Sequence, residues 1–242
     1  MTTPQSQPEA ENPEASAPRQ AAFRPWVFWL GIAGICLLLI GISVSARLSL
    51  EKQHQVASPI ARYHKIDGDL TTLERNGKMV SLSELNGKVR VIANIYTICP
   101  HGCAAVIGEM LKLEKKFGNR ADFFQISISV VPERDTVDML GSFAKGIGLL
   151  PGSHWWFLTG EQQKLWDYMT DVLKLDPAVP TPEDERLNPM DIYSHDLRVV
   201  LVDREGYVRG YYSVFHPERE VATVMSATLQ SDVERILNDP KL

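Results

Sequence analysis

The chain has 242 residues, with 25 Lys and Arg against 30 Asp and Glu, which gives a formal net charge of −5. A surface that binds phosphate backbones needs clustered basic residues, so this balance argues against a nucleic-acid partner. The 3 cysteines are too few for a disulfide-stapled scaffold, and the length allows one or two domains.

The N-terminal part divides by composition into a tail, a candidate membrane anchor and a tether. Residues 1–23 are rich in Pro, Glu, Gln, Ser and Ala, so they are predicted to be disordered because they bury too little apolar surface. Residues 24–47 are predicted to be a transmembrane anchor. Positions 26–46 carry no charge, and a helix of that length crosses a hydrocarbon core about 30 Å thick. Residues 48–66 form a short polar tether.

A cleaved signal peptide is the alternative to an anchor, since residues 44–46 (VSA) make an acceptable cleavage sequence. The apolar run is long for a signal peptide, which favours an uncleaved, single-pass anchor. Cys36, within the span, is expected to have no chemical role. The acidic tail does not resemble an Arg-rich transit peptide. We therefore expect a bacterial inner membrane location with the C-terminal domain in the periplasm.

Residues 67–242 alternate strand and helix patterns and are predicted to form one α/β domain. The buried runs are β-branched and apolar, whereas the helical segments repeat apolar residues at helical spacing. In chain order these are a hairpin at Asn76-Gly77, a strand at 89–96, a helical face at 106–117, a strand at 123–131, a helix from 137, a strand at 155–158, a helical face at 165–173, an inserted loop at 177–188, a hairpin of 197–202 with 207–212, and a helical stripe at 221–236.

Cys99 leaves the first buried strand and Cys103 enters the following helix, with Pro100 suited to the first helical turn. The free amides and positive dipole at that end favour thiolates, which are the reactive and metal-binding form. If this turn is helical, positions four apart share a face, so both sulfurs can point at one ion or at each other. Two sulfurs fill only part of a soft-metal site. A third ligand, usually histidine, is therefore expected, and copper or zinc would suit.

Four segments, in order, resemble those of the Sco/SenC family of copper proteins. The first is the cysteine segment, which matches Thr-x-Cys-Pro-x-x-Cys. The second matches the family's Asp-Pro-Glu-Arg-Asp-Thr segment except at its first position, and the third matches its aromatic-Leu-Thr-Gly segment. The fourth matches the family's histidine before a strand and an Asp-x-x-Gly turn. In this chain the four segments are, in the same order, residues 97–103 (TICPHGC), 131–136 (VPERDT), 157–160 (FLTG), and His195 before 199–206 (VVLVDREG).

The resemblance implies a thioredoxin-like fold, in which a central mixed sheet is flanked by helices and preceded by a single transmembrane helix. It implies that Cys99, Cys103 and His195 hold one copper ion. The implied function is a membrane-anchored metallochaperone that assists assembly of the copper centre of cytochrome c oxidase. Its implied partner is an exported copper-receiving protein, such as an oxidase subunit.

Alternatives to this reading use the same cysteines. A thiol–disulfide oxidoreductase that reduces cysteines of an exported copper protein would use Cys99 and Cys103 as a redox pair and would not need His195. A peroxidase fits the fold but lacks a clear peroxidatic pattern. His101 is either an exposed linker residue or a group that reaches the metal.

The chain departs from the family at Val131, where the family has an acid. If that acid orients a ligand or tunes its charge, its loss weakens the site, and this weighs against tight Cu(II) binding more than against Cu(I) binding. Asp135, nearby in sequence, is not an obvious substitute.

Overall fold

The computed structural model describes residues 25–57 and 59–239. The chain divides into two compact units, which meet in sequence between His54 and Gln55. The predicted disordered tail, residues 1–23, lies outside the described residues.

The first unit contains helix α1 (Pro25–Ala57), which begins where the anchor is predicted and continues into the segment predicted to be a tether. Within it, Trp29–Ser49 is 21 residues long with a mean hydropathy of 2.2, and among the described residues it is the single segment long and apolar enough to cross a membrane. Leu37 and Leu38 are examples of its exposed apolar side chains. Length and composition thus agree with the predicted anchor.

The second unit is built on a seven-stranded sheet in the order β2-β1-β5-β4-β3-β8-β9. Strands β3, β4 and β5 run parallel, whereas β8 is antiparallel to β3 and β1 is antiparallel to β5, so the sheet is mixed as predicted. The strands are β1 (Thr71–Glu74), β2 (Met79–Ser81), β3 (Val89–Ile95), β4 (Phe123–Ser129), β5 (Trp155–Thr159), β6 (Val179–Pro180), β7 (Tyr193–Ser194), β8 (Val199–Val202) and β9 (Val208–Tyr212).

Helices cover both faces of this sheet. They are α2 (Cys103–Phe117), α3 (Val137–Gly146), α4 (Gln162–Asp167), which continues as a π turn (Tyr168–Val172), and α5 (Arg219–Asn238). One face of the sheet packs against α2, α3 and α5, and the other against α4 and the chain around β1 and β2. Strand β3 lies in the interior of the sheet, between β4 and β8, with all its residues buried, which is why its sequence is largely apolar.

The insertion before β8 was predicted as a loop and contains a small sheet of its own. Strands β6 and β7 pair antiparallel, with Val179 opposite Ser194 and Pro180 opposite Tyr193. Two-residue strands carry too little periodicity to be seen in a sequence. This pairing places the end of the insertion, next to His195, beside its start.

Candidate metal centre

The cysteine segment occupies the loop between the carboxyl end of β3 and the start of α2. Cys103 is the first residue of α2, after the N-cap Gly102, whereas Cys99 and Pro100 lie in the loop. The backbone N–H of Cys99 donates to the carbonyl of Tyr96 at 3.0 Å, which closes a turn. Cys103 thus enters the helix as expected, but the turn over Cys99–Cys103 is not helical, so the condition for a shared helical face is not met. The loop, rather than helical spacing, brings the two cysteines together.

The structure gathers the predicted ligand residues into one cluster. The donor atoms of Cys99, Cys103 and His195 all lie within 4.8 Å of one another, and Cys103 Sγ is 3.3 Å from His195 Nε2. Cys103 is buried, whereas Cys99 and His195 are half-buried. The cluster therefore has an inner wall in the protein and an outer side that solvent or a partner can reach.

Hydrogen bonds fix the tautomer and direction of the His195 ring. Nδ1 lies 3.0 Å from the carbonyl oxygen of Asp196, which can only accept, so Nδ1 carries a proton and Nε2 is the ring nitrogen that faces Cys103. The same carbonyl accepts from Asn94 Nδ2 at 3.1 Å, and the Asp196 carboxylate is held by Arg198. A histidine oriented by a second hydrogen bond of this kind is typical of a metal ligand.

The two thiols differ in their readiness to ionise. The Cys103 thiol donates to the Cys99 sulfur and holds the pKa of Cys99 down to about 4, with a further contribution from His195. The same hydrogen bond, together with burial, raises the pKa of Cys103 far above its ordinary value. At neutral pH the pair is thus one thiolate and one thiol, so a metal that takes both sulfurs releases a proton.

Asp135 is a buried acid for which the sequence predicts no role, and its hydrogen bonds support the cysteine loop. Its carboxylate accepts from the hydroxyl and N–H of Thr97 and from Ser129 Oγ at 2.8 Å, which ties the start of the cysteine loop to the end of β4. Burial raises its pKa, while the Thr97 and Ser129 hydrogen bonds act to lower it. Val131, at the family's acidic position, lies in an apolar cluster with Cys103.

His101, between the two cysteines, is outside the donor cluster. Its Nε2 lies 2.9 Å from both carboxylate oxygens of Asp191, whose side chain is fully buried and also accepts from the N–H of Leu187. This contact pins the cysteine loop to the insertion that carries His195. Sequence reasoning missed Asp191, because an Asp in a Pro- and acid-rich loop gives no signal of its partner.

The donor set fits a single soft metal ion. Two thiol sulfurs and an imidazole nitrogen suit copper or zinc. With bonds of about 2.0–2.3 Å, three such donors around one ion lie about 3.8–4.0 Å apart, and the cluster here is within 4.8 Å. The side chains therefore need only small adjustments to share one ion.

Comparisons with known proteins agree with this geometry. A family model described as SCO1/SenC matches residues 59–230. An SCO2-like protein of Rickettsia felis is 27% identical over 152 residues, which cover 61% of this chain and 70% of that protein. The structure of Bradyrhizobium japonicum ScoI with copper bound is 25% identical, with a TM-score of 0.51 over 71% of this chain and 99% of that one.

A second solved structure is that of BsSco, described as having a disulfide switch and as a member of the Sco family of cytochrome c oxidase assembly proteins. It is 28% identical, with a TM-score of 0.52 over 71% of this chain and 96% of that one. The family match covers well over half of the chain and includes both cysteines and His195. This chain belongs to the SCO1/SenC family.

Proposed function

We propose that this chain is a membrane-anchored copper metallochaperone that assists assembly of the copper centre of cytochrome c oxidase. The observation that carries the proposal is the cluster of Cys99, Cys103 and His195, whose donor atoms lie within 4.8 Å of one another. Copper bound to ScoI and the oxidase-assembly role described for BsSco's family support the choice of metal and process.

The site suits an ion that is carried and handed over. Two sulfurs and one imidazole favour Cu(I), and Cys99 and His195 are half-buried, so a partner's ligands can approach from the outer side. The partner would be an exported copper-receiving protein, such as an oxidase subunit. Helix α1 would hold residues 67–242 on the periplasmic side of a bacterial inner membrane, with Trp29–Ser49 as the span.

The test is a Cu(I) titration of the reduced full-length chain in detergent against a competing chelator. We expect one Cu(I) per chain, loss of binding in Cys99→Ser and in Cys103→Ser, and a marked loss of affinity in His195→Ala. Matched controls are Cys36→Ser and His216→Ala. Cys36 lies in α1, and the Nδ1 atom of His216 accepts a hydrogen bond from the N–H of Glu218. Unchanged stoichiometry in the Cys99→Ser, Cys103→Ser double variant would refute the proposal.

A second candidate is a thiol–disulfide oxidoreductase, favoured by the closeness of the two sulfurs and by the disulfide switch described for BsSco. The Cys99 thiolate would attack a partner disulfide and form a mixed disulfide while releasing one partner thiolate. Cys103 would then lose its proton, attack the Cys99 sulfur and release the second partner thiolate. The partner gains the two electrons that the Cys99–Cys103 pair loses.

His195 separates the two candidates, since thiol exchange does not require it. The oxidoreductase is favoured if His195→Ala still reduces a model disulfide fully and if neither the wild type nor His195→Ala binds Cu(I). Tight Cu(I) binding by the wild type that His195→Ala weakens would favour the metallochaperone.

A further inference from the structure

A cavity of about 360 Å³ lies beside the first residues of β3, at the other end of this strand from the cysteine loop. It opens on the face of the sheet that packs against the π turn after α4. Its wall includes Lys65, Arg90, Tyr168 and Gly206. A cavity of this size holds far more than one water molecule.

Arg90 is a buried cation that forms no salt bridge with any described residue. The residue is 3% exposed, and its guanidinium donates no hydrogen bond to any group in the described part of the chain. The Nε atom of this guanidinium is fully buried. The nearby carboxylate of Asp203 is already occupied, because it accepts from two backbone N–H groups and from Arg209 Nη1 at 2.9 Å. An uncompensated buried charge is costly, so a partner is expected.

Tyr168 supplies a second unused donor to the same wall. Its hydroxyl is buried and has no hydrogen-bond partner among the described residues. Burial raises the pKa of Tyr168 to about 12, so the hydroxyl keeps its proton and can donate. Two buried donors without acceptors, Arg90 Nε and Tyr168 Oη, therefore belong to one cavity wall.

The remaining charges of the wall leave an excess of positive charge. Lys65 is exposed and has no ion pair among the described residues. The Arg204 guanidinium is held by Asp122, and Glu205 pairs with Arg62, so these two charges are compensated. The Asp69 carboxylate accepts hydrogen bonds from Ser81 Oγ and from the N–H of Ser83, and it is the one unpaired acid of the wall. Arg90 and Lys65 outweigh this single carboxylate.

We propose that this cavity is a binding site for a phosphate group, held by Arg90, Tyr168 and Lys65. A guanidinium presents paired donors that match the oxygens of a phosphate, and the phenol and ammonium supply further donors. The same chemistry occurs in free phosphate and in anionic lipid headgroups. A lipid source is reasonable because Lys65 follows helix α1 by only eight residues along the chain.

The test is thermal unfolding of the full-length chain in nanodiscs, followed by tryptophan fluorescence. One arm adds inorganic phosphate to neutral phosphatidylcholine nanodiscs, with chloride at equal ionic strength as reference. The other arm replaces part of the neutral lipid with phosphatidylglycerol. A ligand that binds only the folded protein raises the Tm by about 3–6 °C for each tenfold excess over its Kd in a domain of this size.

Arg90→Met is the decisive variant. Removing an unpaired buried charge is expected to leave the Tm without phosphate unchanged or higher, and to abolish the response to phosphate. An Arg90-dependent response to free phosphate supports a site for soluble phosphate, and one seen only with phosphatidylglycerol supports a lipid headgroup. No response in either arm, or an equal response in Arg90→Met, overturns the proposal. Equal responses would reflect the general stabilisation that phosphate gives proteins as an excluded salt.

Two further variants keep the test decisive if Arg90→Met does not fold. Tyr168→Phe removes one buried donor, and Lys65→Gln removes the exposed charge, while Lys145→Gln is a matched exposed lysine in α3. A weaker phosphate response in Tyr168→Phe or Lys65→Gln, with Lys145→Gln unchanged, supports the site. A full response in both Tyr168→Phe and Lys65→Gln overturns it.

Discussion

Gly102 is a position where two neighbouring side chains leave no room for a Cβ atom. A Cβ at this position would lie 2.5 Å from Phe215 Cδ1 and 2.6 Å from Leu197 Cδ1. The backbone itself, at φ −96° and ψ −5°, accepts alanine. Gly102→Ala therefore tests packing alone. It also displaces Leu197, which lies two residues from His195.

Overpacking of this kind costs about 1–3 kcal/mol, and the lower half applies because Phe215 is 43% exposed and can swing outward. The reduced freedom of the unfolded chain returns about 0.4–1 kcal/mol, so a net loss of about 1 kcal/mol is expected. Gly108→Ala is the control. Gly108 lies inside α2, and a Cβ added there would have no neighbouring atom within 4 Å. Alanine at this position should therefore stabilise the folded protein by about 0.5–1 kcal/mol.

The assay is urea unfolding of both variants in the full-length chain, followed by tryptophan fluorescence. A difference of about 2 kcal/mol between the variants corresponds to midpoints about 1 M apart, for an m value of about 2 kcal/mol/M. Gly102→Ala should also bind Cu(I) less tightly than Gly108→Ala. Equal free energies of unfolding for Gly102→Ala and Gly108→Ala would contradict this prediction, because the crowding by Phe215 and Leu197 would then not destabilise the protein.

Three acids give further predictions. The pKa of Asp122 is held at about 2, chiefly by its hydrogen bond from Arg120, so Asp122→Asn should lose about 1 kcal/mol at pH 7 after solvent screening. This loss should vanish as the pH falls from about 4 to about 2. Asp203→Asn removes the buried carboxylate that accepts from Arg209 and should cost about 3–5 kcal/mol in urea unfolding. Asp191→Ala removes the anchor of the His101 contact, which holds the cysteine loop, and should lower Cu(I) affinity several-fold (about 2- to 10-fold, below the about 10- to 100-fold expected for a partner of a ligand) in a competition titration.

Controls for these variants are available in the same structure. Glu205→Gln removes an exposed ion pair with Arg62 and should change stability little. The Asp122 prediction is contradicted if Asp122→Asn loses the same stability at every pH. The Asp203 prediction is contradicted if Asp203→Asn is as stable as Glu205→Gln. The Asp191 prediction is contradicted if Asp191→Ala binds Cu(I) as tightly as the wild type.

The sequence predicted the sheet and its helices because their signals are local. The apolar run of β3 and the helical spacing of α2 follow directly from burial on one or both faces. His195 could be placed in the site only by resemblance, since no local pattern reports a contact 92 residues away from Cys103. The conformation of the cysteine loop stayed open in the sequence because Pro100 is equally suited to a loop and to a first helical turn.

The surroundings of the site could not be read from the sequence. Asp191 and Asp135 act through contacts with His101 and Thr97 that depend on how the insertion and the end of β4 pack against the loop. Arg90 was unremarkable inside an apolar run, and only its burial without an acceptor distinguishes it. Such residues are defined by their partners in space, and sequence periodicity carries no information about those partners.

X-ray absorption at the copper edge of the Cu(I)-loaded full-length chain can show whether Cys99, Cys103 and His195 form one copper site. We expect two sulfur ligands and one nitrogen ligand, at distances near 2.3 and 2.0 Å, with the nitrogen lost in His195→Ala. A sulfur-only spectrum in the wild type, or a nitrogen ligand that persists in His195→Ala, would contradict this expectation.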